Sequence, residues 1–172
     1  AAGDLQVLAP MSTLAGHQAV HVAAHLLQNE SGGRGIILGA QPAIPPATVL
    51  VLGAGAVGRA AALNAVASGA HVIVLDSNLD KLESLDRESA GRVVTVLSGT
   101  GRLEQYTSIA DVIIGAVLVP GYRAPFVVTE EMVRGMKPGS VIVDVSIDQG
   151  GCVETSRPTS AAHPTYVVHD VV

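Results

Sequence analysis

Two rhythms of apolar and polar positions alternate along this chain. TVLVLG (48–53), HVIVLD (71–76), RVVTVLS (92–98), DVIIGAV (111–117) and SVIVDVS (140–146) are nearly continuous apolar runs. Between them the apolar residues fall at helical spacing, which predicts helices over about 57–68, 79–89, 103–110 and 129–136. Continuous apolar strands alternating with helices indicate a parallel sheet covered on both faces. The expected fold is therefore α/β: a three-layer, doubly wound parallel sheet of the Rossmann type. The terminal TYVVHDVV (165–172) continues the rhythm as one further strand-like piece.

Ahead of this alternation, MSTLAGHQAVHVAAHLLQN (11–29) reads as a helix. Ser12 or Thr13 is its expected N-cap, and Ala15, Ala19, Val22 and Leu26 share its expected apolar face. ESGGRG stops it, a short apolar IILGA follows, and QPAIPPA forces a turn before the next strand. Internal repeats, low-complexity segments and linkers are not evident, so residues 1–172 read as one domain.

Composition narrows the function. With 172 residues, 48% of them hydrophobic, the chain can bury a substantial core. A net charge of -5 without a long basic run leaves no footprint for phosphate-backbone binding, which argues against a nucleic-acid partner. The single cysteine, Cys152, allows no internal disulfide and favours a reducing, cytoplasmic setting. No run approaches the ~18 apolar residues of a membrane span. The chain opens at Ala1 and stops within an apolar run, so we expect an excised domain whose active site is completed elsewhere.

The informative stretch is GAGAVG (53–58), directly after the first strong strand and opening the first helix of the alternation. Gly53 permits a tight turn, Gly55 lets the backbone approach a pyrophosphate, and Gly58 lets helix and strand pack closely. The helix start, through Ala56 and Val57, offers unpaired N–H groups and positive dipole to an anion. Asp76 ends the next strand 18 residues after Gly58, where a carboxylate accepts hydrogen bonds from the adenosine ribose and repels a 2′-phosphate. Together these point to NAD rather than NADP. The competing readings, a structural corner and a strand-end acid, lack this convergence of strand, turn, helix and acid.

The chain also resembles the alanine dehydrogenase family, with the transhydrogenase α-subunit domain as a more distant relative. The resemblance rests on APMSTLAG, GGRGIILG, VLVLGAGAVG, VLDSNLDKL, IGAVLVPGYRAP and MKPGSVIVDVSIDQGGCVETSRPT, which cover nearly the whole chain in order. It implies oxidative deamination of L-alanine to pyruvate and ammonia with NAD, and the reverse. By the same resemblance Ser12 is a cofactor contact, Lys81 and Ser98 lie beside the adenosine half, Val117 and Leu118 lie near the nicotinamide, and Asp148 in IDQGG is the active-site aspartate. Position supports Asp148 independently, because loops beyond the carboxyl ends of parallel strands form the ligand crevice. The family's catalytic histidine and its substrate-binding arginine and lysine sit in a separate substrate domain. The chain thus reads as the NAD-binding half of a homo-oligomeric enzyme acting on a small amino acid or 2-oxo acid, inactive alone. His17, where the family has arginine, and Asp170, where it has glycine, depart from the pattern.

His17, His21 and His25 recur every four residues along one helix face, a spacing that can suit a metal. His17 and His25 are about 12 Å apart along the axis at 1.5 Å per residue, and no acidic ligand accompanies them. We therefore expect no metal site there but a polar or subunit-facing stripe. Cys152 has no neighbouring base and reads as a small packed residue. Two other functions share the glycine turn: an NAD-sensing regulatory module, and the NAD domain of a proton-translocating transhydrogenase. A sensor has no need of IDQGGCVETSRPT, and the segment after the second strand does not resemble the transhydrogenase pattern.

Overall fold

The computed structural model describes residues 2–117 and 127–172, with side chains from Pro10 onward. The elements are α1 (Ala2–Leu26), β1 (Thr48–Leu52), α2 (Ala56–Ala67), β2 (His71–Asp76), α3 (Leu79–Ser89), β3 (Val93–Leu97), α4 (Thr100–Ile109), β4 (Val112–Gly115), α5 (Glu130–Arg134) and β5 (Val141–Asp144). The strands form one sheet in the order β3-β2-β1-β4-β5, every neighbouring pair parallel. Strand order reverses between β1 and β4, which makes the carboxyl end of that pair the switch point where ligands bind in such sheets.

Alternation along each strand feeds two cores. Val49, Val51, Val72, Val74, Val112 and Ile114 face α1, α2 and α3, joining Val20, Leu27, Ala61, Leu82 and Leu85. Leu50, Leu52, Ile73, Leu75 and Ile113 face the other side, joining Leu103 of α4 and Val133 of α5. These are the three expected layers. Each fully buried side chain of this size contributes about 1.5–3 kcal/mol, so the strand residues of both faces contribute heavily to stability.

Helix α1 corrects two expectations. It begins at Ala2, with Pro10 inside it, so Ser12 and Thr13 are interior residues rather than caps. The buried face is Gly16, Ala19, Val20, Ala23 and Leu27, whereas Val22 is 44% exposed. Close approach to α2 decides this: a Cβ at Gly16 would collide with the Val57 carbonyl oxygen and lie 2.8 Å from the Ala60 Cβ. Small residues therefore turn inward beside Val20 and Leu27, and Val22 faces out. His17, His21 and His25 are all exposed, in keeping with a polar stripe.

The last segment is also different. IILGA forms no strand, and within TYVVHDVV the chain makes a tight turn in which Val168 and Val171 exchange backbone hydrogen bonds. His169 and Asp170 occupy that turn with φ of 51° and 62°. Only Val172 joins the β5 edge, donating to Ser140 O and accepting from Ile142 N.

At the opposite end of the sheet from the switch point, Asp111 is 5% exposed. Its carboxylate accepts from Thr48 N at 2.8 Å and from Lys137 Nζ at 2.9 Å, and pairs with Arg34 Nε at 3.3 Å. One buried acid so ties the start of β1 to two loops distant in sequence.

Candidate functional site

A cavity of about 790 Å³ opens at the β1/β4 switch point. Gly53, Gly55, Ala56 and Val57 form its floor, Asp76, Ser77 and Lys81 one wall, and Ser98, Gly99 and Thr100 the continuation of that wall beyond β3. Ala116 and Val117 follow β4 into it; Val127, Thr129 and Met132 close the far side, and Ser12 reaches it from α1.

The three glycines differ in surroundings. Gly53 has φ of 98°, and a Cβ there would lie 2.6 Å from the Ala116 carbonyl oxygen. At Gly58 a Cβ would collide with the Gly53 carbonyl oxygen, so this residue sits behind the turn and lets α2 close on β1. Nothing lies within 4 Å of a Cβ built at Gly55, so a side chain there would occupy cavity space alone. Gly55 is also the N-cap of α2, and no side chain caps that helix. The first-turn N–H groups of a twelve-residue helix thus remain available to an anion.

Asp76 is built into this turn. Its Oδ2 accepts from Ala54 N at 2.6 Å and its Oδ1 from Asn78 N at 2.8 Å. The Asp76 carbonyl accepts from Ser98 N at 2.9 Å, which brings the β3 loop alongside. Asn78 Oδ1 accepts from Lys81 N at 3.1 Å and caps α3, setting Lys81 on the cavity wall.

Of the residues singled out from sequence, Ser12, Gly53, Gly55, Ala56, Val57, Asp76, Lys81, Ser98 and Val117 come together around this cavity. Gly58 supports it from behind, and Leu118 lies outside the described residues. Asp148 is exposed on a 3-10 turn, Val145–Gln149, directly after β5, and does not wall the cavity. Sequence reasoning passed over Ser77, Thr100, Thr129 and Met132. The first two could have been found by extending the strand-end rule to the loops after β2 and β3; Thr129 and Met132 carry no local signal.

The loop beyond β5 is held by Asp144. Its Oδ1 accepts from Ser146 N at 3.0 Å, and its Oδ2 from Cys152 N and Val153 N at 2.9 and 3.2 Å. Cys152 is fully buried and its Sγ lies 3.6 Å from Asp144 Oδ1. Burial, and secondarily the Asp144 charge, push this thiol up to about 12. Such a thiol stays protonated and is no nucleophile at neutral pH.

A second, slightly larger cavity of about 840 Å³ lies along the β5 edge between α1 and residues 155–172. His21, His25 and Arg157 reach it, but it has neither the glycine turn nor the start of α2, so the smaller cavity is the candidate site. Among the described residues no group of three or more His, Cys, Asp or Glu is placed to hold a metal ion.

A parallel sheet in this order, with a glycine turn and an uncapped helix start at its switch point, defines a Rossmann-type nucleotide-binding domain. The family model described as alanine dehydrogenase/PNT, C-terminal domain, matches residues 19–172, and the chain belongs to that family. It is 54% identical over 170 residues to an alanine dehydrogenase of Halomonas elongata, a match covering 99% of this chain and 46% of that protein. A solved L-alanine dehydrogenase superposes with a TM-score of 0.93 at 47% identity, over 95% of this chain and 45% of the other. A transhydrogenase from Sinorhizobium meliloti superposes with a TM-score of 0.82 at 28% identity, over 96% of this chain and 47% of the other. The chain spans about half the length of the curated relatives it matches. Among the described residues no helix is long and apolar enough to cross a membrane.

Proposed function

We propose that this chain is the NAD(H)-binding half of an alanine dehydrogenase, an enzyme that converts L-alanine, water and NAD to pyruvate, ammonia, NADH and a proton, and runs in reverse. One observation carries the reading: the uncapped start of α2, the open space at Gly55 and the Asp76 carboxylate share one cavity at the switch point. A dinucleotide fits this set. Its pyrophosphate would meet the first-turn N–H groups of Ala56 and Val57, and its adenosine ribose the Asp76 carboxylate beside Lys81 and Ser98. Asp76 would disfavour a 2′-phosphate by like-charge repulsion, up to about 4 kcal/mol per charge pair at an effective dielectric near 20.

When bound, NAD supplies the two-electron acceptor. This chain's residues bind and orient: Val117 at the carboxyl end of β4, with Val127 and Met132 opposite, offers an apolar wall that excludes water. Asp148, in the loop beyond β5, would hydrogen-bond the substrate nitrogen or an ordered water once substrate arrives. Substrate selection and the remaining acid–base groups belong to the substrate domain of the full-length protein. A homo-oligomer in the cytoplasm completes the reading. The transhydrogenase alternative is disfavoured by identity to the solved structures, 28% against 47% for the L-alanine dehydrogenase.

Calorimetric titration with NADH and NADPH, on the wild type and Asp76→Ala, tests this. Saturable NADH binding, at least about tenfold weaker in the variant and much poorer for NADPH, supports it; equal affinity for both cofactors would overturn the Asp76 assignment. Alanine-dependent NADH formation by the full-length protein tests the substrate.

A further inference from the structure

We propose that Asp144 is a positioning residue for Asp148. The inference rests on the reading that Asp148 faces the reaction, and it explains how an exposed residue on a loop is held still. Asp144 sits at the end of β5, and its carboxylate grips both ends of the loop that carries Asp148. Ser146 N, at the start, donates to Oδ1; Cys152 N and Val153 N, at the finish, donate to Oδ2.

The niche around that carboxylate is built by two glycines from different segments. A Cβ at Gly115, the last residue of β4, would lie 2.9 Å from Asp144 Oδ1 and 2.6 Å from Cys152 Sγ. A Cβ at Gly151, whose φ is 77°, would lie 2.9 Å from Asp144 Oδ2. On its far side the loop is tied down again, because Cys152 O accepts from Val127 N at 2.7 Å and Val128 N at 3.2 Å. Residues 146–153 are thus clamped between the end of β5 and the segment that walls the cavity.

Three of the donors are backbone N–H groups and the Cys152 thiol is a fourth, donating to Oδ1 at 3.6 Å, a set that only an acceptor on both oxygens can satisfy. Asparagine is isosteric, yet in either orientation its NH₂ turns a donor toward a donor. Asp144→Asn should release one end of the loop without changing the volume of the niche. Neither the glycine turn nor Asp76 touches Asp144, so cofactor affinity and chemistry should separate.

The test uses the full-length enzyme and the variants Asp144→Asn, Asp148→Asn and the double substitution. We expect kcat of Asp144→Asn to fall by about 10- to 100-fold, the scale of a misplaced group, with the NADH Kd within about threefold of wild type. The double variant should be no slower than Asp148→Asn alone, as for residues that act as a unit. Normal kcat in Asp144→Asn while Asp148→Asn is impaired would overturn the proposal and leave the reading of Asp148 standing, as would losses that multiply in the double variant. Normal kcat in Asp148→Asn would overturn the reading itself, and the proposal with it. Should Asp144→Asn melt below the assay temperature, Gly151→Ala, which crowds the same oxygen, takes its place under the same criteria.

Discussion

Ala54 N donates to Asp76 Oδ2 across 2.6 Å, so the acid that ends β2 is fastened to the glycine turn that ends β1. The same carboxylate shapes the turn and faces the cavity. Asp76→Ala should therefore lower stability as well as NADH affinity. Losing partly exposed, charge-assisted bonds costs about 1–2 kcal/mol, or roughly 2–8 °C in melting temperature for a domain of this size. A thermal melt without cofactor reads this; an unchanged midpoint would show the bond to be idle.

Gly55 and Gly58 should respond oppositely to one methyl group. Gly58→Ala drives a Cβ into the Gly53 carbonyl and should cost at least about 1–3 kcal/mol, as overpacking does. Gly55→Ala meets no protein atom within 4 Å at an ordinary φ of -72°. It should leave the melting temperature nearly unchanged and weaken NADH by about tenfold or more. Paired melts and titrations decide, and loss of stability at Gly55 would contradict the open space seen there.

Asp111→Asn strips the charge facing Arg34 and Lys137 far from the cavity. Breaking a buried pair costs about 3–5 kcal/mol, but the two cations retain some water, so about 2–4 kcal/mol is expected. Urea denaturation measures it. NADH affinity of the folded variant should match wild type.

Cys152 gives a signed pH effect. Its thiol is raised from 9.0 to about 12, so the unfolded chain ionises first as pH rises. Its contribution is fully present below about pH 9 and declines between pH 9 and 12, by up to about 1.4 kcal/mol per unit. Between pH 8.5 and 10 the wild type should lose about 1–2 kcal/mol more than Cys152→Ala. Parallel slopes in urea titrations at the two pH values would refute this.

Asp170 holds a φ of 62° in the turn after Val168, a conformation that glycine adopts without a Cβ penalty. Asp170→Gly should stabilise the domain by about 0.5–1 kcal/mol, visible as a rise of a few degrees in the thermal midpoint. A fall would mean that the aspartate side chain contributes to the turn.

The sheet and the glycine turn were legible because their signals are local: apolar runs, glycines at fixed offsets, and an acid at a strand end. Helix α3 lies at 79–89 as the pattern predicted, and α2 is displaced by one residue. The buried face of α1 was read only in part: Ala19 was placed on it, but close packing also selects Gly16 and Ala23, which hydrophobicity ranks below the exposed Val22 and the half-buried Leu26. Asp111 was passed over since its partners are distant, Thr48 lying 63 residues away. Asp144 was passed over although its partners Ser146, Cys152 and Val153 lie close by in sequence, because only the folded loop turns their N–H groups onto one carboxylate. An acid inside an apolar strand run was itself a clue, because a buried carboxylate needs partners.

The clamp formed by Arg34, Asp111 and Lys137 lies at one pole of the sheet and the cavity at the other. Heat resistance can therefore be adjusted at the clamp without touching ligand preference, whereas Asp76 couples the two at the turn. Variants hardened at the first pole should keep their ligand preference, whereas retuning Asp76 at the second carries a loss of heat resistance that a stronger clamp could offset.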